Sequence, residues 1–278
     1  MIHSNSEGDI YIEEMPLLLV HLREEEKGAD ARLSEVLSYA LDGYAYETAT
    51  EISAFEDYVN RWRRLEKTQN RKNPVQGRIL FAVPLGTSGI NLELYRLIRF
   101  LREHPDFLNG FVGGLLVDSE NDLYSKSAAK DLVFAANCAG CAFVGRPLVE
   151  GTRTLSNYTI VSNNLGTDLM GAYRESAAGL VKEVLGTDCV RKKCPKVLVL
   201  HASSHKTSNT YAIWNRVKEQ LPEMEIREIG LRNGTLSDCA GCPYKMCLHF
   251  GEQGSCFYGG VMVEDVYPAV READAIVM

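Results

Sequence analysis

Long hydrophobic runs are missing from this 278-residue chain. The longest, such as residues 16–20 and 196–200, extend over five or six residues, whereas a membrane-crossing helix needs about 20. Residues 1–14 are polar and acidic, with neither the basic start nor the apolar stretch of a secretory signal. No membrane partner is therefore expected, and a cytoplasmic, reducing location is. An excess of basic charge is also missing. The 30 Lys and Arg stand against 37 Asp and Glu, a net charge of −7, with a pI near 5.5. That argues against a general nucleic-acid binder, which presents a basic face or stripe. Cysteine is too sparse for a disulfide scaffold, with eight in the whole chain.

What is present is an ordinary globular balance, 45% hydrophobic and 24% charged. At about 150 residues per domain, the length corresponds to just under two domains. Short apolar runs alternate with amphipathic stretches. Strands are expected at 16–22, 78–84, 111–117 and 141–147. Helices are expected where Leu33, Val36, Leu37, Ala40 and Leu41, or Phe55, Val59, Trp62 and Leu65, share a face. Ile90, Leu94, Leu97, Ile98 and Leu101 mark another, as do residues 126–137 and 169–185. Residues 186–195 are polar, basic and proline-ended, and read as a boundary between a domain at 1–190 and another at 195–278. The second repeats the pattern: a strand at 196–200, a helix carrying Ile213, Trp214, Val217 and Leu221, a strand at 225–229, a helix near 263–271 and a strand at 275–278. Strands alternating with helices imply βαβ units, a parallel sheet and helices on both faces. The simplest account is a tandem of similar α/β units; the alternative is one composite domain.

Two constellations carry chemistry. The first is the loop 201–210, between a strand and a helix N-terminus, where backbone N–H groups lack intrahelical partners and the helix dipole favours an anion. Ser203, Ser204, Thr207, Ser208 and Thr210 add hydroxyl donors, and Lys206 and a protonated His205 add positive charge. This is the chemistry of a phosphate cradle, without the glycine pattern of a Walker loop or of a G-x-G-x-x-G turn. The plain reading is a Ser/Thr helix cap, and His201 reads as a satisfied strand-end histidine. The same point of the first unit, residues 21–26, carries Glu24, Glu25 and Glu26, which would repel a phosphate. Residues 86–89 read either as an anion-binding turn or as a plain one.

The second constellation is Cys239-x2-Cys242-x4-Cys247-x8-Cys256. Four thiolates at short spacing suit an iron–sulfur cluster or zinc; the alternative is small buried hydrophobes. Pro243, Gly251, Gly254, Gly259 and Gly260 mark the stretch as turns. Cys138 and Cys141 read as packing thiols.

Residues 195–278 resemble the start of the NAD(P)H-dependent FMN reductase family, a flavodoxin-like group that includes iron–sulfur flavoproteins. The loop 202–210 parallels the family's G-S-P-R-x-x-G-N-T in its early Ser, its basic pair and its Asn-Thr ending, without the glycines and the proline. Leu231, then Cys239-Ala240-Gly241-Cys242, then Cys247, then Ala273-Asp274-Ala275-Ile276-Val277 follow in family order. The resemblance implies tandem flavodoxin-like three-layer αβα units, the first degenerate. It implies FMN held through its phosphate by Ser203, His205, Lys206, Thr207, Ser208, Asn209 and Thr210. It further implies NAD(P)H as electron donor, nicotinamide and flavin nucleotides as partners, and a homo-oligomer. In the iron–sulfur members a compact four-cysteine run binds a [4Fe-4S] cluster, a role that would fall to Cys239, Cys242, Cys247 and Cys256. The rival expectation is an iron–sulfur or zinc electron carrier or scaffold without substrate chemistry. A flavodoxin-like unit needs five strands and the second shows three, so it reads as incomplete at its C-terminal end.

Overall fold

The computed structural model describes residues 15–21, 23, 27–68, 76–189, 192–203, 208–231, 236 and 239–278. The chain divides into two compact units, Met1–Cys189 and Val190–Met278.

The first unit runs β1 (Leu17–His21), α1 (Lys27–Ala40), β2 (Tyr46–Ala49), α2 (Ile52–Thr68), β3 (Gly77–Leu85), α3 (Leu92–Glu103), β4 (Phe111–Ser119), α4 (Ser125–Cys138), β5 (Ala142–Gly151), α5 (Thr159–Leu165) and α6 (Leu169–Gly186). Its five strands are parallel in the order β2-β1-β3-β4-β5, the doubly wound flavodoxin-like order. Both faces of the sheet are covered, which is why its central strands read as unbroken apolar runs. Along them alternate residues go to opposite cores. Leu18, Val20, Ile79, Phe81, Val83, Leu115 and Val117 pack with α2, α3 and α4. Leu17, Leu19, Leu80, Ala82, Val112 and Leu116 pack with α1 and α6. Gly114 lets α6 sit close, since a Cβ there would lie 2.7 Å from a Val184 methyl and 2.9 Å from one of Leu180.

Two expectations need correction here. Ile90 is not on the buried face of α3. It is about half exposed and precedes the helix, because Asn91 is the N-cap: its side chain accepts from Leu94 N at 2.8 Å and donates to Pro84 O at 2.8 Å. Cys138 is exposed while Cys141 is buried, so only one of that pair packs.

The second unit runs β6 (Lys196–His201), α7 (Asn209–Lys218), β7 (Glu225–Gly230), α8 (Tyr244–Glu252), a π-helical turn at Met262–Val266 leading into α9 (Tyr267–Glu272), and β8 (Ala275–Val277). Its three strands are parallel in the order β7-β6-β8. The core is small: Val197, Val199 and Trp214, with Tyr211, Leu221, Met224 and Ile226 against them. On α7 only Trp214 is buried. Ile213 and Val217 are exposed, contrary to the expected apolar face, because a narrow three-stranded sheet covers a single strip of the helix. Asp274 ties this sheet together. It accepts from Lys196 N at 2.9 Å and from Lys192 Nζ at 2.6 Å, joining the entry of β8 to the start of β6. Among the described residues no helix is long and apolar enough to cross a membrane.

Candidate functional site

In an open parallel sheet, ligands bind beyond the carboxyl ends of the strands. In the second unit the central strand β6 ends there at His201, half-buried, its ring 4.9 Å from that of Tyr211. Of the predicted phosphate ligands, His205, Lys206 and Thr207 lie outside the described residues, as does Ser204. Ser203 is half-buried, and Ser208, Asn209 and Thr210 open α7.

Ser208 is the N-cap in an extended conformation, its Oγ accepting from Tyr211 N at 3.1 Å. That leaves its hydroxyl hydrogen as a donor. The amides of Asn209 and Thr210, the first two helical positions, have no carbonyl one turn back within the helix. Both side chains are exposed, and neither 202–203 nor 208–210 includes a carboxylate. Glu228 on the adjacent strand β7 is occupied: Tyr211 Oη donates to it at 2.8 Å and Lys218 Nζ at 2.6 Å. The Lys218 hydrogen bond holds its carboxyl below the usual carboxylate range. The donor set at 203 and 208–210 fits a phosphate.

The matching place in the first unit is built differently. β1 ends at His21, buried, with Nε2 2.8 Å from Oδ1 of Asp30, an acid in the first turn of α1. Burial lowers the His21 pKa against the pull of Asp30. One residue pair further along, Arg32 spans to the end of β4. Its Nε and Nη2 donate to the fully buried Asp118 at 2.9 and 2.7 Å. Nη2 also reaches Ser119 O and Nη1 reaches Arg153 O, both at 3.1 Å. Burial raises the Asp118 pKa while the Arg32 hydrogen bonds oppose it. Glu24, Glu25 and Glu26 lie outside the described residues, but Asp30 alone puts negative charge at this helix start. Residues 86–89 form a plain turn, Gly89 N donating to Gly86 O at 3.0 Å.

The four-cysteine metal site is not assembled. Among the described residues no three His, Cys, Asp or Glu side chains come together as a metal site. Cys242 meets Cys247, with Cys239 nearby, while Cys256 follows α8. The stretch, expected to be all turns, holds a nine-residue helix, α8, that the sequence reading missed; it lies between Cys242 and Cys256 in the chain and contains Cys247.

A doubly wound five-stranded α/β unit followed by a smaller parallel α/β unit is a flavodoxin-like architecture. Residues 195–278, the second unit, match the family model of NADPH-dependent FMN reductase. No curated protein matches the chain.

Proposed function

We propose that the protein is an FMN-dependent NAD(P)H oxidoreductase whose second unit anchors the flavin through its phosphate at the β6–α7 turn. The match of residues 195–278 to the reductase family carries this reading, and the donor set of the turn supports it. In this reading Ser203, Thr207, Ser208 and Thr210 donate hydroxyl hydrogens to phosphate oxygens. Asn209 and Thr210 offer backbone amides, and Lys206 and His205 contribute positive charge. The positive end of α7 adds its dipole. When bound, FMN would supply the redox chemistry between NAD(P)H and an acceptor. The chain's residues hold and orient it, and the hydrogen bonds from Tyr211 and Lys218 to Glu228 tie the first and last turns of α7 to β7.

The experiment is an FMN titration of the full-length protein followed by anaerobic NADPH. Saturable binding, then bleaching of the visible flavin band, is the expected result. A protein that shows no FMN uptake contradicts the proposal.

A further inference from the structure

The cysteines left without a cluster have a local geometry of their own. Helix α8 has Pro243 as its N-cap, with an extended ψ of 140°, and Cys247 N donates to Pro243 O at 3.0 Å. Cys242 is thus the residue before the cap and Cys247 the fourth residue of the helix. Those two positions meet at helix starts generally, where an apolar pair packs as a staple that fixes the entry of the chain. Here both members are cysteines, and their thiols lie within hydrogen-bonding reach. Neither is in a disulfide. Cys247 is exposed and Cys242 half-buried.

We propose that Cys242 and Cys247 are a redox-active dithiol that exchanges with low-molecular-weight disulfides, closing to an intramolecular disulfide across the first turn of α8. A disulfide requires two Cα atoms within about 7 Å, and the side chains of Cys242 and Cys247 already meet across the start of α8. Cys247, the exposed thiol, attacks as the thiolate on one sulfur of a disulfide RSSR. The S–S bond breaks, a mixed disulfide forms at Cys247, and RS⁻ leaves and takes up a proton. Cys242 then loses its proton to solvent and attacks the Cys247 sulfur, expelling the second RSH. The protein gives up two electrons and two protons, and RSSR becomes two RSH. Cys239 lies in the strand-to-helix connection before the cap and Cys256 beyond the helix, so neither occupies a staple position. The proposal is independent of flavin binding.

The test equilibrates the full-length protein, without flavin, in glutathione buffers of stepped GSH:GSSG ratio. Acid quenching, differential alkylation and peptide mass spectrometry then report each cysteine. Cys242 and Cys247 are expected to become protected together with a two-electron midpoint, Cys239 and Cys256 remaining alkylatable. Cys242→Ser is expected to trap glutathione on Cys247, and Cys239→Ser to leave the paired protection unchanged. Protection of Cys247 without Cys242 in the wild-type protein would overturn the proposal. So would a cross-link of either to Cys239 or Cys256, no oxidation at any ratio, or stoichiometric metal that shields all four thiols in the purified protein.

Discussion

In the first unit, β1 delivers His21 to the carboxyl edge of its sheet and α1 answers with Asp30, 2.8 Å from the ring. In the second, β6 delivers His201 to the same edge and α7 answers with Ser208, Asn209, Thr210 and the ring of Tyr211. The two turns share a strand, a terminal histidine and a following helix, and differ in the sign of what faces the helix start. A carboxylate there stabilises the helix and excludes an anion; hydroxyls and open amides leave the helix dipole for a ligand. The first unit also spends an arginine on itself. Arg32 is committed to Asp118, Ser119 and Arg153, so this cation is an internal strut.

Arg32→Ala is expected to have the largest effect. It leaves Asp118 buried without its counter-ion, and breaking a buried pair costs about 3–5 kcal/mol. Chemical denaturation should show that loss in the first unit, while FMN affinity, set in the second, stays the same. An FMN affinity that falls in step would mean the two turns are not independent.

Thr210→Glu converts the second turn toward the chemistry of the first. A carboxylate about 4 Å from a phosphate charge costs about 4 kcal/mol at an effective dielectric of 20, so FMN binding is expected to weaken at least about 100-fold. The same substitution puts an acid at a helix N-terminus, worth about 0.3–1 kcal/mol in favour of folding. Weaker binding in a protein of equal or higher stability separates loss of the site from loss of the fold. Calorimetry and a melting curve read both.

Ser208→Ala should cost about 1 kcal/mol of stability through the lost cap. It should also lower FMN affinity about fivefold through the lost hydroxyl donor.

The smallest effect is a pH dependence of the second unit. The Lys192 hydrogen bond and the Lys196 amide hold the Asp274 carboxyl below its usual range, and Lys218 does the same for Glu228. Their folded values are depressed, so their stabilisation is present at neutral pH and drains away as pH falls through and below the usual carboxylate range. Trp214 is the second unit's only tryptophan, and its fluorescence in a Trp62→Phe background follows this loss. Asp274→Asn should flatten part of it.

The sheet of the first unit was legible because its central strands are buried on both faces, so β1, β3 and β4 announce themselves as apolar runs. The edge strand β2, Tyr46–Ala49, was not: three of its four residues are exposed or half-buried, and its pattern carries no periodicity. α8 was missed because Pro243 opens it and Gly251 and Gly254 lie in and just after its last turn. The Arg32–Asp118 pair joins residues 86 apart, and nothing local in either sequence segment points to the other. A Ser/Thr cap was one of the two readings of the 201–210 turn, beside the phosphate cradle, and Ser208 is that cap. The role of Asp274 was not, because a carboxylate just before a strand reveals its partners only when the strand is placed beside β6.

The central claim is that the β6–α7 turn holds FMN by its phosphate. Titrating the full-length protein with FMN and, in parallel, with riboflavin, which has the same ring system and no phosphate, tests it directly. FMN should bind saturably and at least about tenfold more tightly than riboflavin, a difference of about 1.4 kcal/mol, and Thr210→Glu should erase the difference. Equal affinity for the two, or no binding of FMN, would contradict it.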